Sequence, residues 1–142
     1  MNLSKSQSHY IKVVYELSSN GEGVRVCDIA QKMGFSKASV SLAMTKLEKE
    51  GLLRKDKKRQ VFLTSEGEKQ AIQMMDKFAI IHKFLTDTLK VDEKIAMEDA
   101  CAIEHIISVD TLCALCRESS KVNKKSTCIE HCNVSEDNVA NQ

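Results

Sequence analysis

Apolar positions recur along most of this chain at helical spacing, and they switch to an extended pattern around one short segment. Tyr10, Ile11, Val14 and Leu17 share a helical face and predict a first helix over 6–19, which Asn20-Gly21-Glu22-Gly23 ends. Val24-Arg25-Val26 reads either as a short strand or as an extended lead-in. A second helix over 27–33 turns Ile29 and Ala30 inward and closes at Gly34, a residue suited to a left-handed C-cap. Ser36 then caps a third helix through Leu47, and Gly51 stops it. Leu52-Leu53-Arg54-Lys55 and Gln60-Val61-Phe62-Leu63 flank the polar tip Asp56-Lys57-Lys58-Arg59, which predicts a two-stranded hairpin. After Thr64 and Gly67, the periodic Ala71, Met74, Met75, Phe78, Ile81, Phe84 and Leu85 predict a long fourth helix. Asp92 caps a fifth through Ile107, and Asp110 a sixth through Arg117. From Ser119 the chain turns polar and reads as a loosely ordered or metal-dependent tail.

Two short helices around the turn 34–36, followed by a basic hairpin, form the pattern of a winged helix-turn-helix. The fold class is therefore mainly α: a winged helix-turn-helix over 1–65, a helical domain over 66–118, and a cysteine-containing polar tail over 119–142. In such a domain the second helix of the pair enters the major groove of double-stranded DNA, leading with its N-terminal residues. Here those are Ser36, Lys37, Ala38, Ser39 and Ser41. Their small side chains permit close approach, and Ala38 suits a thymine methyl. Lys37, Lys46 and the hairpin cations Lys55, Lys57, Lys58 and Arg59 suit phosphates.

Charge agrees with this division. Residues 1–65 carry a net +6 and residues 66–142 a net −5, within an overall +1. A basic first half suits a polyanion, whereas a solvated hairpin on an ordinary small domain gives no reason for the asymmetry. No run of about 18 apolar residues exists to span a membrane. The opening residues also lack the apolar core of a signal peptide. The expected location is the cytoplasm, where six cysteines serve more often as metal ligands, redox thiols or small buried residues than as disulfides.

Cys101-Ala102-Ile103-Glu104-His105 falls within the predicted fifth helix. Positions i, i+3 and i+4 share a face, so a thiol, a carboxylate and an imidazole converge there as a metal-ligand set. The plainer alternative is two partly buried helix residues and a surface carboxylate. A hydrolytic zinc centre would need an open coordination position and a general base nearby. No glycine-rich substrate loop or spare acid accompanies the trio, and the basic hairpin would be idle, so the reading is not an enzyme. A second constellation comprises Cys113-x-x-Cys116 and Cys128-x-x-x-Cys132, with His131 in the second pair. It resembles a structural zinc clip; an iron–sulfur cluster, a reversible disulfide switch and inert thiols are the alternatives. Cys27 reads as packing.

Several blocks carry a further likeness: His9-Tyr10-Ile11 with Tyr15-Glu16-Leu17, Val26-Cys27-Asp28-Ile29-Ala30, Ser39-Val40-Ser41, Leu47-Glu48-Lys49-Glu50-Gly51-Leu52, Leu63-Thr64-Ser65-Glu66-Gly67 and Cys101-Ala102-Ile103-Glu104-His105. In this order and spacing, over about 8–115, the chain resembles the diphtheria toxin repressor family of metal-dependent bacterial regulators, including its manganese-sensing branch. The resemblance implies a repressor of metal-uptake genes acting as a homodimer on a palindromic operator, with the helices over 66–117 forming the dimer interface and much of the metal site. The SH3-like domain of longer members has no counterpart here.

Carried over residue by residue, the family's principal metal site is His9, Cys101, Glu104 and His105. His9 stands where iron-sensing members have methionine and manganese-sensing members aspartate. Phe78 and Met97 occupy histidine positions of the family's ancillary site, His82 replaces a carboxylate, and Lys12 replaces a ligating glutamate of the manganese branch. These departures argue against a binuclear manganese arrangement and leave His82 as a candidate extra ligand. One thiolate, two imidazoles and one carboxylate form a borderline-soft set. The retained cysteine, characteristic of the iron-sensing branch, favours Fe(II), with Zn(II) next and Mn(II) last. A zinc- or manganese-responsive member, or a winged-helix regulator sensing thiol oxidation through the tail, is the alternative.

Overall fold

The computed structural model describes residues 3–18 and 21–123, which contain six α-helices and one two-stranded sheet. In chain order these are α1 (Lys5–Leu17), α2 (Val26–Met33), α3 (Lys37–Lys49), β1 (Leu53–Lys55), β2 (Val61–Leu63), α4 (Ser65–Lys83), α5 (Glu93–Ile103) and α6 (Val109–Asn123). A π-helical turn, Phe84–Thr88, follows α4. The chain divides into two compact units between Ile72 and Gln73. Among the described residues no helix is long and apolar enough to cross a membrane.

The first unit is built on α1, α2, α3 and the hairpin. Ser4 and Gln7 form a reciprocal capping box at the start of α1, satisfying two backbone donors that the first turn would otherwise leave open. Gly34 ends α2 in the left-handed conformation, as its position predicts. Ile11, Val14, Ile29, Val40, Met44, Leu47, Leu52, Leu53 and Val61 are fully or almost fully buried, so each helix contributes one stripe to a shared core. The strands pair antiparallel with Leu53 opposite Leu63 and Lys55 opposite Val61. Val24 settles the ambiguity before α2: it makes a single antiparallel bridge to Val61, exchanging both backbone hydrogen bonds at 2.9 and 2.7 Å.

Thr64 and Gly67 close the base of the hairpin. The Thr64 amide donates to Leu52 O at 3.1 Å, its hydroxyl donates to Gly51 O at 2.6 Å, and the Gly67 amide donates back to the Thr64 hydroxyl at 3.1 Å. Gly67 lies so close that a Cβ there would sit 1.9 Å from the Leu52 carbonyl oxygen. That overlap involves backbone and has no soft route of escape.

In the second unit, Ile81, Ala100 and Leu112 form the buried centre, with Phe78, Ile80, Leu85, Ile103, Ile107, Val109 and Leu115 packed around it. Three boundaries differ from the predicted ones. α5 ends at Ile103 instead of Ile107: the Ile106 and Ile107 amides both donate to Ile103 O, which tightens the chain into a turn. The next helix is capped by Ser108, whose hydroxyl accepts from the Thr111 amide at 3.2 Å, and not by Asp110. α6 then continues to Asn123 rather than stopping at Arg117.

Gly67→Ala is expected to destabilise the first unit by about 2–3 kcal/mol, the upper part of the range for forcing atoms into a packed interior. Thermal unfolding followed by circular dichroism checks this. A midpoint within a degree of the parent would show that the α4 start does not press on Leu52.

Candidate nucleic-acid interface and metal centre

The nucleic-acid candidates lie on the first unit. Ser36 caps α3: its hydroxyl accepts from the Ser39 amide at 3.2 Å and donates to the Ser39 hydroxyl at 2.9 Å. Both residues are exposed at the helix start, but both hydroxyls are engaged in the cap. Because Val40, Met44 and Leu47 point into the core, the remaining candidates Lys37, Ala38, Ser41 and Lys46 face solvent.

A groove of about 590 Å³ runs between the start of α3 and the hairpin tip. Lys37, Ala38 and Ser41 line it from α3, Lys58, Arg59 and Gln60 from the hairpin, and Arg25 and Val26 from the start of α2. Four of the lining side chains are cationic and none is acidic. Lys46 and Lys57 are exposed outside it. The tip is held by Asp56, whose Oδ1 accepts from the Lys58 amide at 2.9 Å and the Gln60 amide at 2.8 Å, while Arg59 takes a positive φ of 61°. Lys55 departs from expectation. Its Nζ donates to Thr45 Oγ1 at 2.9 Å and lies 3.9 Å from Glu48 Oε2, so it ties β1 to α3 and does not reach outward with the tip cations.

Sequence reasoning missed three residues here. Arg25 and Gln60 enter the groove only because the Val24–Val61 bridge draws the start of α2 to the hairpin. Leu42 is 74% exposed, on the side of α3 opposite Val40 and Met44. Its signal was available: an apolar residue at an outward position of an amphipathic helix.

The metal candidates other than His9 lie on the second unit. Cys101 is a half-buried thiol in the last turn of α5. Glu104 follows as the C-cap, and its amide still donates to Ala100 O at 3.0 Å, so it keeps helical register with Cys101. His105 lies just beyond the C-cap, in the turn that follows α5. Its Nε2 comes within 3.4 Å of Glu104 Oε1, with the Glu104 side chain fully buried and the His105 side chain 11% exposed. Burying a carboxylate in a small apolar core is costly unless a cation or donors meet it. A thiol, a carboxylate and an imidazole are donors of the types that divalent transition metals take.

The structure gathers these groups only partly. Among the described residues, no three His, Cys, Asp or Glu side chains come close enough to hold an ion. His9 is exposed on α1. His82, the candidate extra ligand, stacks on Phe78 with ring centroids 5.6 Å apart, and its Nε2 lies 3.1 Å from Glu93 Oε1. The π turn starts two residues later, where the Thr86 hydroxyl donates to His82 O at 3.0 Å. Cys113 and Cys116 are on α6; Cys128, His131 and Cys132 lie outside the described residues, as does most of the segment read as a polar tail.

Comparison with known proteins adds to this geometry. Residues 2–61 match the family model described as the iron-dependent repressor N-terminal DNA-binding domain. Residues 64–132 match the iron-dependent repressor metal binding and dimerisation domain. The transcriptional regulator MntR of Escherichia coli O6:H1 is 34% identical over 103 residues, covering 72% of this chain and 66% of that protein. The diphtheria toxin repressor of Corynebacterium glutamicum is 30% identical over 99 residues, covering 70% of this chain and 43% of that protein. Among solved structures, ScaR with bound Zn2+ aligns with a TM-score of 0.68 at 30% identity, over 83% of this chain and 53% of that one. The chain thus spans between about two fifths and two thirds of the length of these relatives.

Proposed function

The chain belongs to the iron-dependent repressor family, a family of DNA-binding regulators rather than enzymes, and on that premise we propose that it is a metal-activated transcriptional repressor. It acts as a homodimer on double-stranded DNA. The observation that carries this reading is the groove between α3 and the hairpin, with four cationic and no acidic lining side chains. α3 enters the major groove with Lys37, Ala38, Ser41 and Leu42 toward base edges. Arg25, Lys58 and Arg59 neutralise phosphates, a term that holds the protein on DNA without reading sequence. A two-fold dimer presents two such helices, which matches a palindromic operator.

Cys101, Glu104 and His105, with His9, hold the activating metal in this proposal. Once bound, the ion supplies positive charge that offsets the Glu104 carboxylate and the Cys101 thiolate. Cys101 would hold the ion as a thiolate, and His105 and His9 would hold it through imidazole nitrogens. One thiolate, two imidazoles and one carboxylate suit Fe(II) and Zn(II) alike and disfavour oxygen-seeking Mn(II); the resemblance to iron-sensing members, which share the cysteine, makes Fe(II) the proposed metal and Zn(II) the next. His9 belongs to the DNA-binding half and the other three donors to the metal-binding half. Metal and operator affinities are therefore linked reciprocally.

Three measurements test the proposal on the full chain, using a duplex recovered from a random-sequence library by the metal-loaded protein. His9→Ala is expected to leave a folded dimer by sedimentation and to abolish metal-stimulated binding in an anisotropy titration; full stimulation in that variant would exclude His9 as a ligand. Lys58→Ala with Arg59→Ala is expected to reduce the slope of log affinity against log salt by about 2, with sequence preference kept. An unaltered slope would place the hairpin away from the phosphates. For Leu42, replacing operator thymines one at a time by uracil removes a C5 methyl. One such position is expected to weaken parent binding about 4-fold, near the ~0.8 kcal/mol of a buried methylene, and to leave Leu42→Ala indifferent. Equal sensitivity of parent and variant at every position would remove Leu42 from the base contacts.

A further inference from the structure

Cys113 and Cys116 lie one turn apart on α6, and the function proposed above uses neither. Residues at i and i+3 on a helix are neighbours, with about 5–6 Å between their Cβ atoms. Both thiols are half-buried. Leu112 and Leu115 turn into the core of the second unit, and Cys116 and Ser119 follow them at i+4 on the same stripe of α6. The thiol pair therefore borders apolar packing while keeping one side open to solvent.

Ser119 supplies a second observation. It is 8% exposed, and its hydroxyl oxygen is buried with no hydrogen-bond partner among the described residues. A buried hydroxyl left in that state is destabilising. It lies one turn beyond Cys116, a sulfur that accepts a hydrogen bond poorly as a thiol and well as a thiolate. The donor count selects the ion. Structural Zn(II) is almost always held by four ligands, whereas among the described residues no three His, Cys, Asp or Glu side chains come close enough to share one ion. Two thiolates alone satisfy Cu(I), a soft ion that thiolates select and that is stable with two ligands.

We propose that Cys113 and Cys116 bind one Cu(I) ion as a two-coordinate dithiolate, with the Ser119 hydroxyl donating to the Cys116 sulfur. Two S–H bonds break, two Cu–S bonds form, both protons leave to solvent, and no electron is transferred. The complex carries one negative charge, which the Ser119 donor stabilises.

The full chain is prepared anaerobically with and without one equivalent of Cu(I) and pulsed with a thiol-alkylating reagent, and modified cysteines are identified by mass spectrometry. Copper is expected to slow modification of Cys113 and Cys116 together by roughly tenfold or more, because a metal-bound thiolate does not react, while Cys27 and Cys101 react as before. Cys113→Ser is expected to restore modification of Cys116. Cys128→Ser with Cys132→Ser, which removes the thiols outside the described residues, is expected to keep the protection; its loss would overturn a site made by α6 alone. Ser119→Ala is expected to weaken Cu(I) binding about tenfold against a competing chelator, as loss of a hydrogen bond to a charged group does. The same variant is expected not to lower the unfolding midpoint of the copper-free chain, which damage to the helix would lower; unchanged copper affinity would remove Ser119 from the site. Equal modification of Cys113 and Cys116 with and without copper overturns the proposal, as does protection of Cys116 that survives Cys113→Ser.

Discussion

The closure of the hairpin onto the start of α4 is the constraint on which the first unit depends. The Leu52 carbonyl accepts from the Thr64 amide, the Thr64 hydroxyl caps both Gly51 O and the Gly67 amide, and only a hydrogen fits between Gly67 and Leu52. Residues 51–67 are thereby locked into a loop whose two strands leave and return at one point. From that point the hairpin projects with Val61 buried, and Val61 bridges to Val24 and so places Arg25 beside the tip. The groove is a downstream consequence of one backbone contact. Lys55, bonded to Thr45, reinforces the same geometry from the α3 side. A lysine in that role stiffens the interface and leaves the outward charge to Lys58 and Arg59.

The second unit presents a different problem, a carboxylate in a small core. The Glu104 side chain is fully buried, and the imidazole of its neighbour His105 comes within 3.4 Å of it. Glu104 itself keeps helical dihedrals as the C-cap of α5, and the turn that follows carries His105.

Much of this was legible in the sequence, for identifiable reasons. Helix-stopping glycines, the Ser36 cap and the alternating strands mark the first unit because they are local signals, and each structural element appears where those signals put it. Gly67 was visible as part of a motif, but its reason was not, since the Leu52 oxygen that excludes a Cβ is fifteen residues away. The end of α5 was misjudged because no glycine or proline marks it; the competing signal is the Ser108 hydroxyl, a cap for the next helix that outcompetes Asp110. The Ser36 cap was legible, but the hydrogen bond that also engages the Ser39 hydroxyl was not, since a small polar residue near a helix start serves a cap and a base contact equally well on paper. Donor chemistry at Cys101, Glu104 and His105 could be read from residue type, whereas the full burial of the Glu104 side chain could not.

The composition of α3 limits what one subunit could achieve on the proposed reading. The helix has no Arg, Asn or Gln, the side chains that make most bidentate contacts to base edges. Its outward face offers small residues, lysines and Leu42, and the hydroxyls of Ser36 and Ser39 are already engaged. Apolar and small-residue contacts discriminate weakly, so a single half-site would be held largely by phosphates and be sensitive to salt. Specificity would then have to come from two half-sites engaged at once. Any change that spoils their simultaneous fit would cost the second set of contacts entirely and return the protein to weak, non-specific binding. A metal-linked regulator gains from that arrangement: a coupling of 1–3 kcal/mol, typical for linked sites, is small beside a strong single-site interaction but decisive for a weak paired one.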